Sequence, residues 1–183
     1  EDIKRIITTE RALQPHLINK NIFKNNIITL IKGQELEIKE LTNKLILLDY
    51  NKVNLTSQEG SWSRRGEIID IYPVNNELPI RIEFFDNIID KLREYDPLTQ
   101  KTLDNINKVE IVQVGFNLLI RKKLEYLSKD NIFNSEEITT KNNLDRYLGI
   151  IEEYPSSLIN YINEDTIIVI DEEEYCNKFA NNW

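Results

Sequence analysis

The sequence predicts an α+β fold, and three observations lead there. The segment Glu35–Tyr50 carries the apolar spacing of a single amphipathic helix. The stretch from Lys52 to Val114 then breaks into short β-like runs divided by turn residues. The connections between those runs are short, which favours antiparallel hairpins over parallel crossovers. One helix beside an antiparallel sheet is an α+β arrangement.

In order along the chain, Ile6–Pro15 reads as the end of a strand followed by a short helical turn stopped near Pro15. Asn19–Asn26 is polar and loop-like, and Ile27–Ile31 is an apolar, β-branched strand that Gly33 punctuates. In the helix, Ile38, Leu41, Leu45 and Leu48 make one apolar stripe, with Glu37, Lys39, Glu40 and Lys44 filling much of the rest. The strand candidates are Lys52–Thr56, Ser61–Arg65, Glu67–Tyr72, Ile80–Phe85, Ile88–Tyr95 and Lys108–Val112. Glu59–Gly60, Pro73–Pro79, Asp86–Asn87 and Asp96–Pro97 separate them as turns. Beyond Val114, Phe116–Ser128 is helical, Asp130–Asn143 a polar loop, and Leu144–Tyr154 a helix ended before Pro155. Thr166–Ile170 suits a buried parallel strand, and Asp171–Trp183 a last helix.

Composition narrows the function classes. With 183 residues, 40% of them hydrophobic, the chain can build one full domain plus pieces of neighbours. Charged residues make up 30%, enough for a solvated surface rather than global disorder. A net charge of −8 argues against a surface built mainly to neutralise phosphates. The single cysteine, Cys176, cannot form an internal disulfide, so a reducing, cytoplasmic setting is expected. The lone His16 and the lone thiol support neither a metal site nor a nucleophile triad. Without any methionine, Glu1 is expected to be an internal residue of a longer protein.

The candidate site begins with Ile80–Phe85. Strand side chains alternate faces, so Ile80, Ile82 and Phe84 point to a core while Arg81, Glu83 and Phe85 point the other way. A guanidinium beside an exposed aromatic is common hot-spot chemistry for a protein partner. On spacing alone, an ordinary cross-strand ion pair flanked by Phe85 is the better-supported reading. Arg64 and Arg65 before Gly66 could meet phosphate or carboxylate, or simply be surface charge on a hairpin. Trp62, Phe84, Phe85 and Tyr95 could stack bases, but the acidic balance favours core and flank roles. Ile167–Glu172 is similar to the strand-plus-acid pattern that positions magnesium in P-loop ATPases, with Asp171 and Glu172 as the acids. None of Gly33, Gly60, Gly66, Gly115 and Gly149 has the phosphate-loop context this chemistry needs.

Three ordered runs change this balance: Gly60–Pro73 (GSWSRRGEIIDIYP), Pro79–Asp86 (PIRIEFFD) and Tyr95–Gln100 (YDPLTQ). Together they resemble the UvrB-like interaction domain shared by the excinuclease component UvrB and the transcription-repair coupling factors. The pair Phe84–Phe85, Gln100, Thr9–Pro15 and the tail segments resemble the coupling factors more than UvrB. The resemblance implies an α+β UvrA-docking module at 25–114, an antiparallel sheet with a packed helix. It would be inserted in a degenerate RecA-like α/β domain, with residues 1–24 ending that domain's first segment and 115–183 beginning its second. It implies partner-binding roles for Arg65, Arg81 and Phe85, with Glu83 beside them. Arg64 departs from the family, which usually carries a small or apolar residue there, and Ser63 lies where UvrB tends to carry an arginine that the coupling factors often lack.

The resemblance further implies that the motor, with its ATP and magnesium, and the contacts to RNA polymerase and DNA lie in parts of the parent beyond Trp183. The chain is then expected to be non-catalytic, without a cofactor, metal or membrane contact of its own. The readings set against it are an ATPase fragment using Asp171 and Glu172, a nucleic-acid-binding module, and a fragment of UvrB itself.

Overall fold

The computed structural model describes residues 5–15, 17–128 and 156–181, and its main sheet is built from the segments that alternate apolar and polar residues. The order is helix α1 (Lys20–Asn25), strand β1 (Ile28–Ile31), helix α2 (Ile38–Leu47), then β2 (Asn51–Lys52), β3 (Ser61–Arg65), β4 (Ile68–Tyr72), β5 (Ile80–Phe85), β6 (Ile88–Tyr95), β7 (Thr102–Ile106) and β8 (Lys108–Ile111). Helices α3 (Asn117–Ser128) and α4 (Glu173–Ala180) follow, and Arg11–Leu13 and Leu158–Tyr161 are 3-10 turns.

Six strands form one sheet in sequence order from β2 to β7, and β1 pairs with β8 in a separate ribbon. All pairs are antiparallel except β2 with β3, which is parallel. The antiparallel sheet favoured by the short connections is thus present, and its one parallel pairing involves only two residues of β2. The sheet buries the face predicted from alternation: Ile69, Ile71, Ile80, Ile82 and Leu92 cluster with Leu41, Leu45 and Leu48 of the α2 stripe. Burying such side chains contributes roughly 1.5–3 kcal/mol each, so this helix–sheet contact stabilises the module substantially.

Turn chemistry shapes the two hairpins that matter below. Gly66 has φ +62° between β3 and β4, a conformation glycine adopts without steric cost. Asp86 has φ +54° between β5 and β6, where aspartate is among the residues that best tolerate it. The second hairpin is braced from the side. Leu36 N–H donates to the Asn87 carbonyl (2.7 Å), Gly33 N–H to the Ile89 carbonyl (2.8 Å), and Ile89 N–H to the Gln34 carbonyl (2.9 Å).

Segments on either side of the module meet. Leu17 and Ser156 form an antiparallel bridge, the Tyr161 hydroxyl donates to the Ile18 carbonyl (2.6 Å), and Tyr161 packs edge-on against Phe23. Asp49, just after α2, accepts from the backbone N–H groups of Asn117 and Leu118 and so caps α3 from outside that helix.

Several sequence expectations need correcting. Asn19–Asn26 is not a loop but holds α1, where the Asn19 side chain accepts from the Asn21 N–H. The helix predicted over Glu35–Tyr50 is shorter, because Glu35 is drawn into a bridge with Ile88. Strand β7 carries no clear sequence signal yet forms, and the strand end at Ile6–Thr9 is absent. The buried strand at Thr166–Ile170 does not form either. Ile167 is 85% and Val169 83% exposed, and no ladder among the described residues covers them. The loop Asp130–Asn143 and the helix Leu144–Tyr154 lie outside the described residues, as does His16.

Candidate functional site

The face of the sheet opposite α2 is where the candidate residues gather, and strand register explains how. Cross-strand partners share a face, so the ladder reads out rows of neighbours. One row is Ser63, Asp70, Arg81 and Arg93, the next is Arg65, Ile68, Glu83 and Lys91, and Phe85 with Ile88 closes the hairpin end. All four sequence-predicted residues, Arg65, Arg81, Glu83 and Phe85, therefore stand together on one surface.

Their environments differ sharply. Phe85 is 70% exposed, with Ile88 half-exposed opposite it. Arg65 keeps 53% of its side chain exposed, while Arg81 keeps only 14%. Glu83 sits between two cations, its carboxylate 2.9 Å from Arg93 and 3.3 Å from Lys91. The cross-strand ion pairs expected from spacing are thus present, yet they leave Phe85 and Arg65 open to solvent.

The residue that organises this surface is Asp70, which sequence reasoning did not single out. It is 1% exposed in the middle of β4. Its Oδ1 accepts from Arg81 Nε (2.7 Å), and its Oδ2 accepts from Arg81 (2.9 Å) and from Arg65 (2.9 Å). Arg81 also lies over the Tyr95 ring at 4.5 Å and donates to the Gln100 side-chain oxygen (3.1 Å) and, at a long 3.4 Å, to the Gln100 carbonyl. The hydrogen bond to Asp70 is the main cause that raises the Arg81 pKa above its ordinary value, with burial opposing it. Tyr95 is itself raised, chiefly by burial and secondarily by the Asp70 charge. Its hydroxyl donates to the Thr56 carbonyl (3.1 Å), and the Thr56 hydroxyl donates to Ser63 Oγ (2.9 Å), which closes one end of the face. A signal for Asp70 existed in the sequence. Alternation sets it on the face away from Ile69 and Ile71, and an acid there needs a cation opposite.

The other candidates go elsewhere. Arg64 points to the opposite side, where its Nε donates to the Gly66 carbonyl (2.8 Å) beside Glu37, Lys39, Glu67 and Asp86. Trp62, Phe84 and Tyr95 are buried, so of the four aromatics considered for stacking only Phe85 is presented. Asp171 and Glu172 are exposed at the start of α4, after a segment that forms no strand. Among the described residues no three His, Cys, Asp or Glu side chains cluster as a metal site.

Comparison with known proteins picks out the same span of the chain. A family model described as the UvrB interaction domain matches residues 28–114, the span from β1 to just past β8. A transcription-repair-coupling factor of Staphylococcus aureus (strain bovine RF122 / ET3-1) is 29% identical over 187 residues, covering 88% of this chain and 16% of its own length. One from Staphylococcus epidermidis (strain RP62A) is 31% identical over 178 residues, covering 83% of this chain and 15% of its own length. The chain thus spans about a sixth of the curated relatives it matches. No helix among the described residues is long and apolar enough to cross a membrane.

Proposed function

Through residues 28–114 the chain belongs to the UvrB interaction domain family, in the setting found in transcription-repair-coupling factors, and from that premise we propose that it is a docking module for UvrA. The observation that carries the reading is the pairing of an open Phe85 with a half-open Arg65 on a face whose other charges are already matched. Exposed aromatics beside arginine contribute most where partners bury them, because both give up solvent for shaped contacts. In this reading Arg65, Arg81, Glu83 and Phe85 form the contact face, with Glu83 held between Arg93 and Lys91.

The module acts without catalysis here: it captures UvrA where the parent protein has displaced a stalled RNA polymerase. Contacts to polymerase and DNA, and an ATP-driven motor with its magnesium, belong to other parts of the parent. A cytoplasmic location follows from that role.

The test is a calorimetric titration of the chain against UvrA, with wild type, Arg65→Ala and Phe85→Ala compared. Each variant is expected to weaken binding at least tenfold while its melting temperature stays near wild type. Equal affinity for all three proteins would remove this face from the interaction.

A further inference from the structure

The two arginines of the face are wired differently, and their free donors can be counted. A guanidinium carries five N–H donors. On Arg81, Nε gives its one to Asp70, one terminal nitrogen gives its two to Asp70 and the Gln100 side chain, and the other gives one to the Gln100 carbonyl. One donor remains. Arg65 donates from one terminal nitrogen to Asp70, which leaves four donors and half of the side chain in solvent. Both arginines converge on the same oxygen, Asp70 Oδ2.

We infer that Asp70 is a positioning residue that makes Arg81 a fixed mount and holds Arg65 out as the arginine that contacts the partner. This inference rests on the docking reading above and divides labour within it. Asp70 is tied to the middle of β4 and buried beneath both side chains, so its position is set by the sheet. Arg81 is also held over Tyr95, and that stack with the carboxylate fork leaves its plane little freedom. Arg65, beside the Gly66 turn, would otherwise sample many rotamers. Its single bond to Asp70 removes part of that freedom before the partner arrives, which is how preorganisation raises affinity. A carboxylate is the group on the partner that Arg65's remaining fork of donors fits, since two parallel N–H bonds match its two oxygens.

The experiment combines binding cycles with a measurement on the unaltered chain. UvrA affinity is measured for Asp70→Asn, Arg65→Gln, Phe85→Ala and the two double variants containing Asp70→Asn. Asp70→Asn is expected to weaken binding about tenfold. Arg65→Gln added to it should cost much less than it does alone, whereas Phe85→Ala should cost the same in both backgrounds. A merely structural role for Asp70 would leave both pairs additive, and that result would overturn the inference while leaving the docking reading in place. Should Asp70→Asn fail to fold, 15N spectra of the wild-type arginine side chains decide. The Arg81 Nε–H is expected to exchange slowly in the free chain and to shift little when UvrA is added, while the Arg65 signals move. The reverse pattern would overturn the inference. Absence of any wild-type binding would instead remove the docking reading, and the exchange rates in the free chain would still report whether Arg81 is mounted.

Discussion

Asp70 and Arg81 face each other across β4 and β5 and are joined by two hydrogen bonds, at 2.7 and 2.9 Å, with the carboxylate almost wholly buried. Such a pair repays its desolvation only while both members are present. Arg81→Ala should therefore destabilise the module by about 3–5 kcal/mol, because it strands a buried carboxylate with only Arg65 to meet it. Asp70→Ala should cost a similar amount, and the double variant should cost less than the sum of the two. Urea unfolding of the three variants checks this. Additive losses would mean that the two side chains contribute separately rather than as a pair.

Phe85→Ala should behave in the opposite way. The ring is mostly in solvent, so stability should change by no more than about 0.5 kcal/mol. Loss of UvrA affinity should reach about 2 kcal/mol, roughly 30-fold, if the ring fills a recess on the partner. Thermal melts and a binding titration on the same preparation separate the two effects. A large fall in melting temperature would mean that Phe85 packs within the module after all.

What could be read from the sequence depended on how regular each signal was. Ile80, Ile82 and Phe84 alternate with Arg81, Glu83 and Phe85 over six residues, so both the core face and the presenting face of β5 were legible. Asp70 was not, because its role depends on register: only when Ile71 is set opposite Ile80 does Asp70 fall opposite Arg81. Strand β7 (Thr-Leu-Asp-Asn-Ile) escaped because it is an exposed edge containing two residues that strands usually avoid. The run Ile167–Ile170 misled in the other direction. Apolar β-branched residues signal a strand, yet a strand also needs a partner ladder, and sequence composition does not report one. The partner proposed for this face rests on the resemblance and the family match, since an ion pair with a flanking phenylalanine does not by itself name one.

Two glycines should tolerate alanine unequally. Both have positive φ, +72° at Gly60 and +62° at Gly66, so each alanine carries about 1 kcal/mol of backbone strain. At Gly66 a new Cβ would meet nothing within 4 Å, whereas at Gly60 it would come within 3.3 Å of Val114 Cγ1. Gly60→Ala should therefore lower the urea midpoint clearly more than Gly66→Ala. Equal midpoints would show that Val114 shifts freely and that only backbone conformation matters at these turns.

The module should also lose stability at alkaline pH, through its buried tyrosines. The Tyr50 hydroxyl donates to the Val112 carbonyl at 2.9 Å, and burial pushes its pKa up to about 12. A tyrosine in the unfolded chain ionises near 10. Below that pH both states keep the proton and the contribution of Tyr50 is fully present. Between about 10 and 12 the unfolded chain releases its proton while the folded chain holds on, so stability falls through this window and levels off above it. Two pK units correspond to about 3 kcal/mol at the end of the fall. Tyr95, also raised by burial, adds a fall of the same sign. Tyr50→Phe removes one of these two raised tyrosines, at the cost of a half-buried hydrogen bond. Its unfolding free energy should thus start lower than wild type at neutral pH and decline less steeply between pH 10 and 12. Parallel slopes for the two proteins across that window would show that Tyr50 does not drive the alkaline loss.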